Sequence, residues 1–156
     1  MILGVGIDLA DRATFGHLDE GCIRRAAARW LTAAERAWCA RQPELRQGLV
    51  AVLSCKEAIF KAWSAAGATH RLSLRMRGDA RSGWATALGL GPVDATAEWR
   101  PEGPDLLTVA VAVRGGSARA AHRREMAALW PTPWDTAVVG GFAGKPARQS
   151  SRIDGL

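Results

Sequence analysis

From residue 43 to 66 the chain repeats apolar residues at steps of three and four, a run that predicts one long helix ending near Gly67. Leu45, Leu49, Val52, Leu53, Lys56, Phe60 and Trp63 fall along one side of it, and Val50, Ser54, Glu57 and Lys61 form a neighbouring stripe. Such a helix has to bury a broad face, so the rest of the chain must supply a layer for it to lie on. The same helix carries the segment SCKEAIFKAW, residues 54–63, with Lys56, Glu57 and Lys61 set among core-type residues. Charges there are costly unless something compensates them. A metal ion and a phosphorylated ligand would do so.

The flanking segments define that layer. ILGVGIDL reads as a buried strand over 2–9. A short helix is expected around 19–30. A second opens at Thr32 with Glu35 three residues on, the pattern of a capping box. Pro43 ends that helix and suits the first turn of the long one. Beyond Gly67, HRLSLRMR alternates as a half-buried strand, GDARSG is a turn, and WATAL, VDATAEWR and DLLTVAVAV are three more strands, the last central in its sheet. A last helix is expected over 117–130. The order predicts an α+β fold, a long helix packed on a small antiparallel sheet. The expected organisation is one domain over 1–130 and a loosely held tail over 131–156, rich in Gly, Pro, Ser and Ala.

The formal net charge of +6 favours anionic partners, whether nucleic acid, phosphorylated cofactors or acidic proteins. A nucleic-acid module would interleave exposed aromatics with basic residues; the tryptophans here lie mostly within apolar runs, so nucleic acid is not expected. No run is long enough to span a membrane, and the N-terminus lacks the basic start of a signal peptide. Three cysteines, none in a C-x-x-C pair, read as small apolar residues of a reducing, cytoplasmic protein.

Asp8 ends the first strand after Gly4 and Gly6, which read as flexible positions, and Glu57 sits on the long helix. If the helix packs on the strand, two carboxylates converge, and a hard cation such as Mg²⁺ between them would remove their repulsion while taking further oxygens from water and phosphate. Lys61, one turn from Glu57, would face the phosphates. By spacing alone, Glu57 and Lys61 read more often as a surface ion pair than as a catalytic pair, and Asp8 more often as a turn or capping residue than as a ligand.

Taken together, GVGIDLADRATF, LTAAERAWC and LSCKEAIFKAW resemble the 4′-phosphopantetheinyl transferases, whose signature is a G-[IV]-D opening and a downstream [WF]-[SA]-x-K-E-[AS]-x-x-K helix. The match falls on Gly6, Ile7 and Asp8 and on Ser54, Lys56, Glu57, Ala58 and Lys61, and the likeness extends over roughly residues 2–113. Asp11 and the single lobe follow the small, holo-acyl-carrier-protein synthase-like branch. RPEGPDLL and LSCKE look more like the second lobe of the large branch.

The resemblance implies transfer of the phosphopantetheine arm of coenzyme A to a serine of an acidic acyl or peptidyl carrier protein. Mg²⁺ would lie on Asp8 and Glu57. Glu57, or a metal-bound water it orients, would accept the serine proton, and Lys61 would donate to the departing 3′,5′-ADP. Lys56 would bind phosphate or pair with Asp11, and Arg46, His70 and Arg71 are candidates for the nucleotide phosphates. Arg24, Arg25 and Arg29 read equally as a face toward the carrier and as a solvated face with no partner. A homotrimer is expected, since one lobe offers half of the coenzyme site. The alternative is an inactive, transferase-like module that docks a carrier protein or synthase.

Overall fold

The computed structural model describes residues 1–64 and 72–129. The expected tail over 131–156, the helix stop at Gly67, and His70 and Arg71 lie outside the described residues.

Five strands form one antiparallel sheet: β1 (Ile2–Asp11), β2 (Ser73–Gly78), β3 (Gly83–Leu88), β4 (Val93–Glu102) and β5 (Asp105–Arg114), in the spatial order β1-β5-β4-β3-β2. The consecutive strands β2 to β5 form a meander, and β1 closes onto the outside of β5 as an edge strand, placing Asp8 opposite Thr108. The helices are α1 (Glu20–Trp30), α2 (Ala33–Cys39), α3 (Leu45–Ser64) and α4 (Ala118–Leu129). The predicted long helix is α3, which starts at Leu45 and leaves Pro43 just ahead of it.

The two short helices begin as their sequences dictate. The Asp19 side chain accepts the Cys22 N–H at the start of α1. At α2 the capping box forms: the Glu35 N–H donates to Thr32 Oγ1, and Glu35 Oε2 accepts the Thr32 N–H at 2.7 Å.

One face of the sheet is floored with small residues. Gly4 and Gly6 of β1, Ala110 and Ala112 of β5, Ala95 and Ala97 of β4, and Ala85 and Ala87 of β3 all turn the same way. α3 lies against this floor and contributes Ala51, Ala58 and Ala62, each fully buried. The approach is so close that a Cβ on Gly6 would collide with the Ala58 carbonyl oxygen, and one on Gly4 with that of Ala62. These glycines serve contact between backbones. Flexibility, the role the sequence reading assigned them, is not what the fold uses. The buried face of α3 is wider than the expected one: Leu49, Val52 and Trp63 of the expected side are buried, the stripe of Ala51, Cys55, Ala58 and Ala62 is buried with them, and Phe60, expected inside, is 40% exposed at the rim. Small residues let the helix seat on the sheet along their own stripe, which apolar spacing alone did not distinguish. Trp99 closes the far end of this core edge-to-face against Trp38, at 5.9 Å between centroids, with its indole N–H on the Asp79 carbonyl.

The opposite face is covered in part by α4. Ala118 and Ala121 pack on Val111 and Val113, Asp94 accepts the Ala118 N–H, and the buried His122 bonds Glu98 through Nε2 at 3.1 Å. On β1 that face is bare, and Val5, Ile7 and Leu9 are 53%, 58% and 59% exposed. Among the described residues no helix is long and apolar enough to cross a membrane. Cys39 and Cys55 are buried, and burial pushes the Cys39 thiol up to about 12 and the Cys55 thiol well above its usual range, so neither is poised as a nucleophile.

Candidate active site

Asp8 is carried to the end of the glycine-bearing stretch of β1, facing α3. Glu57 and Lys61 lie one turn apart on the stripe of α3 that borders β1. The close seating of helix on strand brings the three together. Lys61 Nζ stands 3.0 Å from Asp8 Oδ1 and 3.6 Å from Glu57 Oε1. Two carboxylates separated by 49 positions therefore share one ammonium group, whose hydrogen bond to Asp8 raises the Lys61 pKa. The other Asp8 oxygen, Oδ2, accepts from Ser54 Oγ at 2.7 Å.

A raised lysine pKa has a defined sign. The stabilisation from this pair is complete below the pKa of an unfolded-chain lysine and is lost as pH rises through the higher folded value. In metal-free protein, an NMR titration of the Lys61 side chain should show a pKa above the ordinary lysine value, and Asp8→Asn should bring it down. An unchanged titration in that variant would separate the shift from Asp8.

The cluster opens into a cleft of about 410 Å³. Asp8, Ser54, Lys56 and Glu57 line its polar side, and Phe15, Val50, Leu53, Phe60 and Leu72 its apolar wall. Such a cavity suits an elongated ligand with a charged end and an apolar arm.

The other predicted residues divide. Lys56 borders the cleft, but its ammonium is engaged by Glu35 Oε2 at 2.9 Å and by the Trp30 carbonyl at 3.1 Å. The expected pairing with Asp11 does not form; Asp11 Oδ1 instead accepts the Ala13 N–H in the turn after β1. Arg46 is not among the residues lining the cleft; its guanidinium donates to the Leu18 carbonyl, and its Nε is buried without a partner among the described residues. His70 and Arg71 lie outside the described residues.

The residue the sequence reading underestimated is Glu35. Read as a helix cap, it is fully buried and also takes the Leu74 N–H on Oε1 at 2.8 Å. One carboxylate thus joins α2, α3 and β2, and it compensates the charge on Lys56. The signal available in the sequence was an acidic residue within LTAAERAWC, a segment that otherwise reads as apolar helix.

For a metal, the residues on offer are two carboxylates already drawn to a cation. Among the described residues no group of three or more His, Cys, Asp or Glu side chains could hold an ion. Two hard oxygen donors beside an open cleft suit an ion such as Mg²⁺, which keeps waters and takes phosphate oxygens, and do not make a closed zinc site.

The backbone is similar to that of a crystal structure of holo-[acyl-carrier-protein] synthase from Neisseria meningitidis, with a TM-score of 0.56 and 19% identity over 73% of this chain and 100% of that one. An acyl carrier protein synthase structure from Mycobacterium tuberculosis gives a TM-score of 0.48 at 24% identity, covering 73% of this chain and 99% of that one. No curated protein sequence matches. The first of these likenesses shows the same α+β fold. The profile of the ACPS group, 4′-phosphopantetheinyl transferase superfamily, matches residues 4–88, more than half of the sequence and including Asp8, Glu57 and Lys61. The chain belongs to the 4′-phosphopantetheinyl transferase superfamily and is an enzyme of that class.

Proposed function

We propose that this enzyme transfers the 4′-phosphopantetheine arm of coenzyme A to a serine of an acyl or peptidyl carrier protein, converting the apo carrier to its holo form. The observation that carries this reading is the meeting of Asp8 and Glu57 on the Lys61 ammonium at the mouth of a cleft with one polar side and one apolar wall. Asp8 and Glu57 would hold Mg²⁺, which when bound neutralises charge on the diphosphate of the coenzyme. Glu57 takes the proton of the carrier serine. The serine oxygen bonds to the β-phosphorus, the bond from that phosphorus to the 3′,5′-ADP oxygen breaks, and Lys61 protonates the departing oxygen. The pantetheine arm lies along Phe15, Leu53 and Phe60.

The positive charge fits an acidic carrier. α1 ends at Trp30, whose carbonyl is bonded to Lys56 of the cleft wall, so Arg24, Arg25 and Arg29 lie on a helix that ends beside the cleft. Arg24 already pairs with Glu20, both side chains 71% exposed, an interaction an incoming acidic surface can exchange at little cost. The three free cysteines are in keeping with a cytoplasmic reaction.

Incubation with coenzyme A, Mg²⁺ and an apo carrier should add the mass of one phosphopantetheine arm to the carrier. Glu57→Gln should reduce the rate about 100-fold or more. Wild-type protein that binds the carrier but adds no mass would favour the inactive docking module, and full activity in Glu57→Gln would remove Glu57 from its role.

A homotrimer is part of the same reading. Its support is the row Val5, Ile7 and Leu9, exposed on an edge strand beside the site. Sedimentation equilibrium should return three times the chain mass, and a species of one chain mass with full activity would overturn it.

A further inference from the structure

Two buried hydroxyl groups stand behind Asp8, and nothing in the proposed chemistry uses them. Ser54 Oγ lies 2.7 Å from Asp8 Oδ2 and 2.7 Å from Thr108 Oγ1. Ser54 is 2% exposed and Thr108 fully buried. They come from different elements. Ser54 is on α3, one turn before Glu57, and Thr108 is on β5 directly opposite Asp8 in the β1–β5 ladder.

The directions of both hydrogen bonds follow from proton inventory. Asp8 faces an ammonium group at 3.0 Å, and an ionised carboxylate only accepts. The single Ser54 hydroxyl hydrogen therefore goes to Asp8. With that hydrogen committed, Ser54 can only accept from Thr108. The chain runs Thr108 to Ser54 to Asp8, and it ends on a charge, where such bonds are strongest and each polarises the next. Its effect is geometric. Oδ2 is held by a donor that is itself held, so the carboxyl plane cannot turn, and Oδ1 stays directed at the position Lys61 now occupies.

We propose that Ser54 and Thr108 are positioning residues: a two-hydroxyl relay that fixes the Asp8 carboxylate for a divalent cation at the mouth of the cleft. This rests on the reading of Asp8 as a metal ligand, and outer partners of that kind commonly change metal affinity 10–100-fold when removed. A relay that served only to satisfy two buried hydroxyls would affect stability and leave cation affinity alone.

The test uses Mn²⁺ as a spin probe with coenzyme A present, following free Mn²⁺ by electron paramagnetic resonance on full-length variants that melt cooperatively. Asp8→Asn should abolish tight Mn²⁺ binding. Ser54→Ala and Thr108→Val should each weaken it about tenfold or more, whereas Thr108→Ser, which keeps the hydroxyl, should stay within about twofold of wild type. Coenzyme A binding without metal should be unchanged in Thr108→Val and Thr108→Ser, whose side chain is fully buried and does not line the cleft. If Ser54→Ala fails to fold, the Thr108→Val and Thr108→Ser pair decides alone. Wild-type Mn²⁺ affinity in Ser54→Ala and Thr108→Val, with Asp8→Asn impaired, overturns the relay and leaves the metal reading intact. So does a loss in Thr108→Ser equal to that in Thr108→Val. Wild-type affinity in Asp8→Asn overturns both.

Discussion

Replacing Gly6 by alanine should cost about 3 kcal/mol or more and remove transferase activity along with it. The added methyl meets the carbonyl oxygen of Ala58, a backbone atom that cannot rotate aside as a side chain would. Relief requires moving α3 away from β1. Asp8 is two residues beyond Gly6, and Glu57 is bonded directly to Ala58, so the displacement acts on the two carboxylates that must meet. At about 2–4 °C per kcal/mol for a chain of this size, the melting temperature should fall by about 10 °C. Gly116→Ala, where the methyl meets nothing within 4 Å, is the matched control and should melt as wild type does. A Gly6→Ala protein with unchanged melting temperature and rate would show that the helix can retreat without disturbing the site.

The second large effect is expected at Glu35. Its carboxylate accepts from Thr32 N, Leu74 N and Lys56 Nζ while fully buried. Glu35→Gln turns one acceptor into a donor facing donors, and it strands an ammonium group whose side chain is only 18% exposed. Breaking a buried ion pair from one side costs about 3–5 kcal/mol, and the partial exposure of Lys56 points to the lower end. Lys56→Met should cost less, because Glu35 keeps two backbone donors. The double replacement Glu35→Gln with Lys56→Met should recover part of the loss, since no unpaired ammonium remains. Chemical denaturation of the four proteins measures this directly. Equal losses in the two single variants would show that the pair is not organised around Glu35.

These two residues also mark what could be read along the chain. Element types followed from local rules: the three-and-four spacing of α3, the Thr32–Glu35 box of α2, and the alternation of β2. The convergence of Asp8, Glu57 and Lys61 followed from helix spacing combined with family likeness. Tertiary neighbours did not follow. The second oxygen of Glu35, the partner of Lys56 and the true buried face of α3 depend on which elements touch, and a sequence period carries no such information. Gly4 and Gly6 read as flexible positions because a glycine in isolation shows only its freedom. Their use appeared once a helix backbone was found against them. Ser54 and Thr108 do not read as a pair for the same reason, being 54 residues apart and brought together only where α3 packs on the sheet.

The alanine and glycine floor beneath α3 has one more implication. Where helix and sheet meet through bulky side chains, swapping one aliphatic for another shifts the gap by fractions of an ångström. Here main chain rests nearly on main chain at Gly4 and Gly6, so the spacing between the acidic pair depends on those two positions carrying no side chain. Aliphatic exchanges elsewhere in the interior should therefore disturb that spacing less than a methyl group at either glycine.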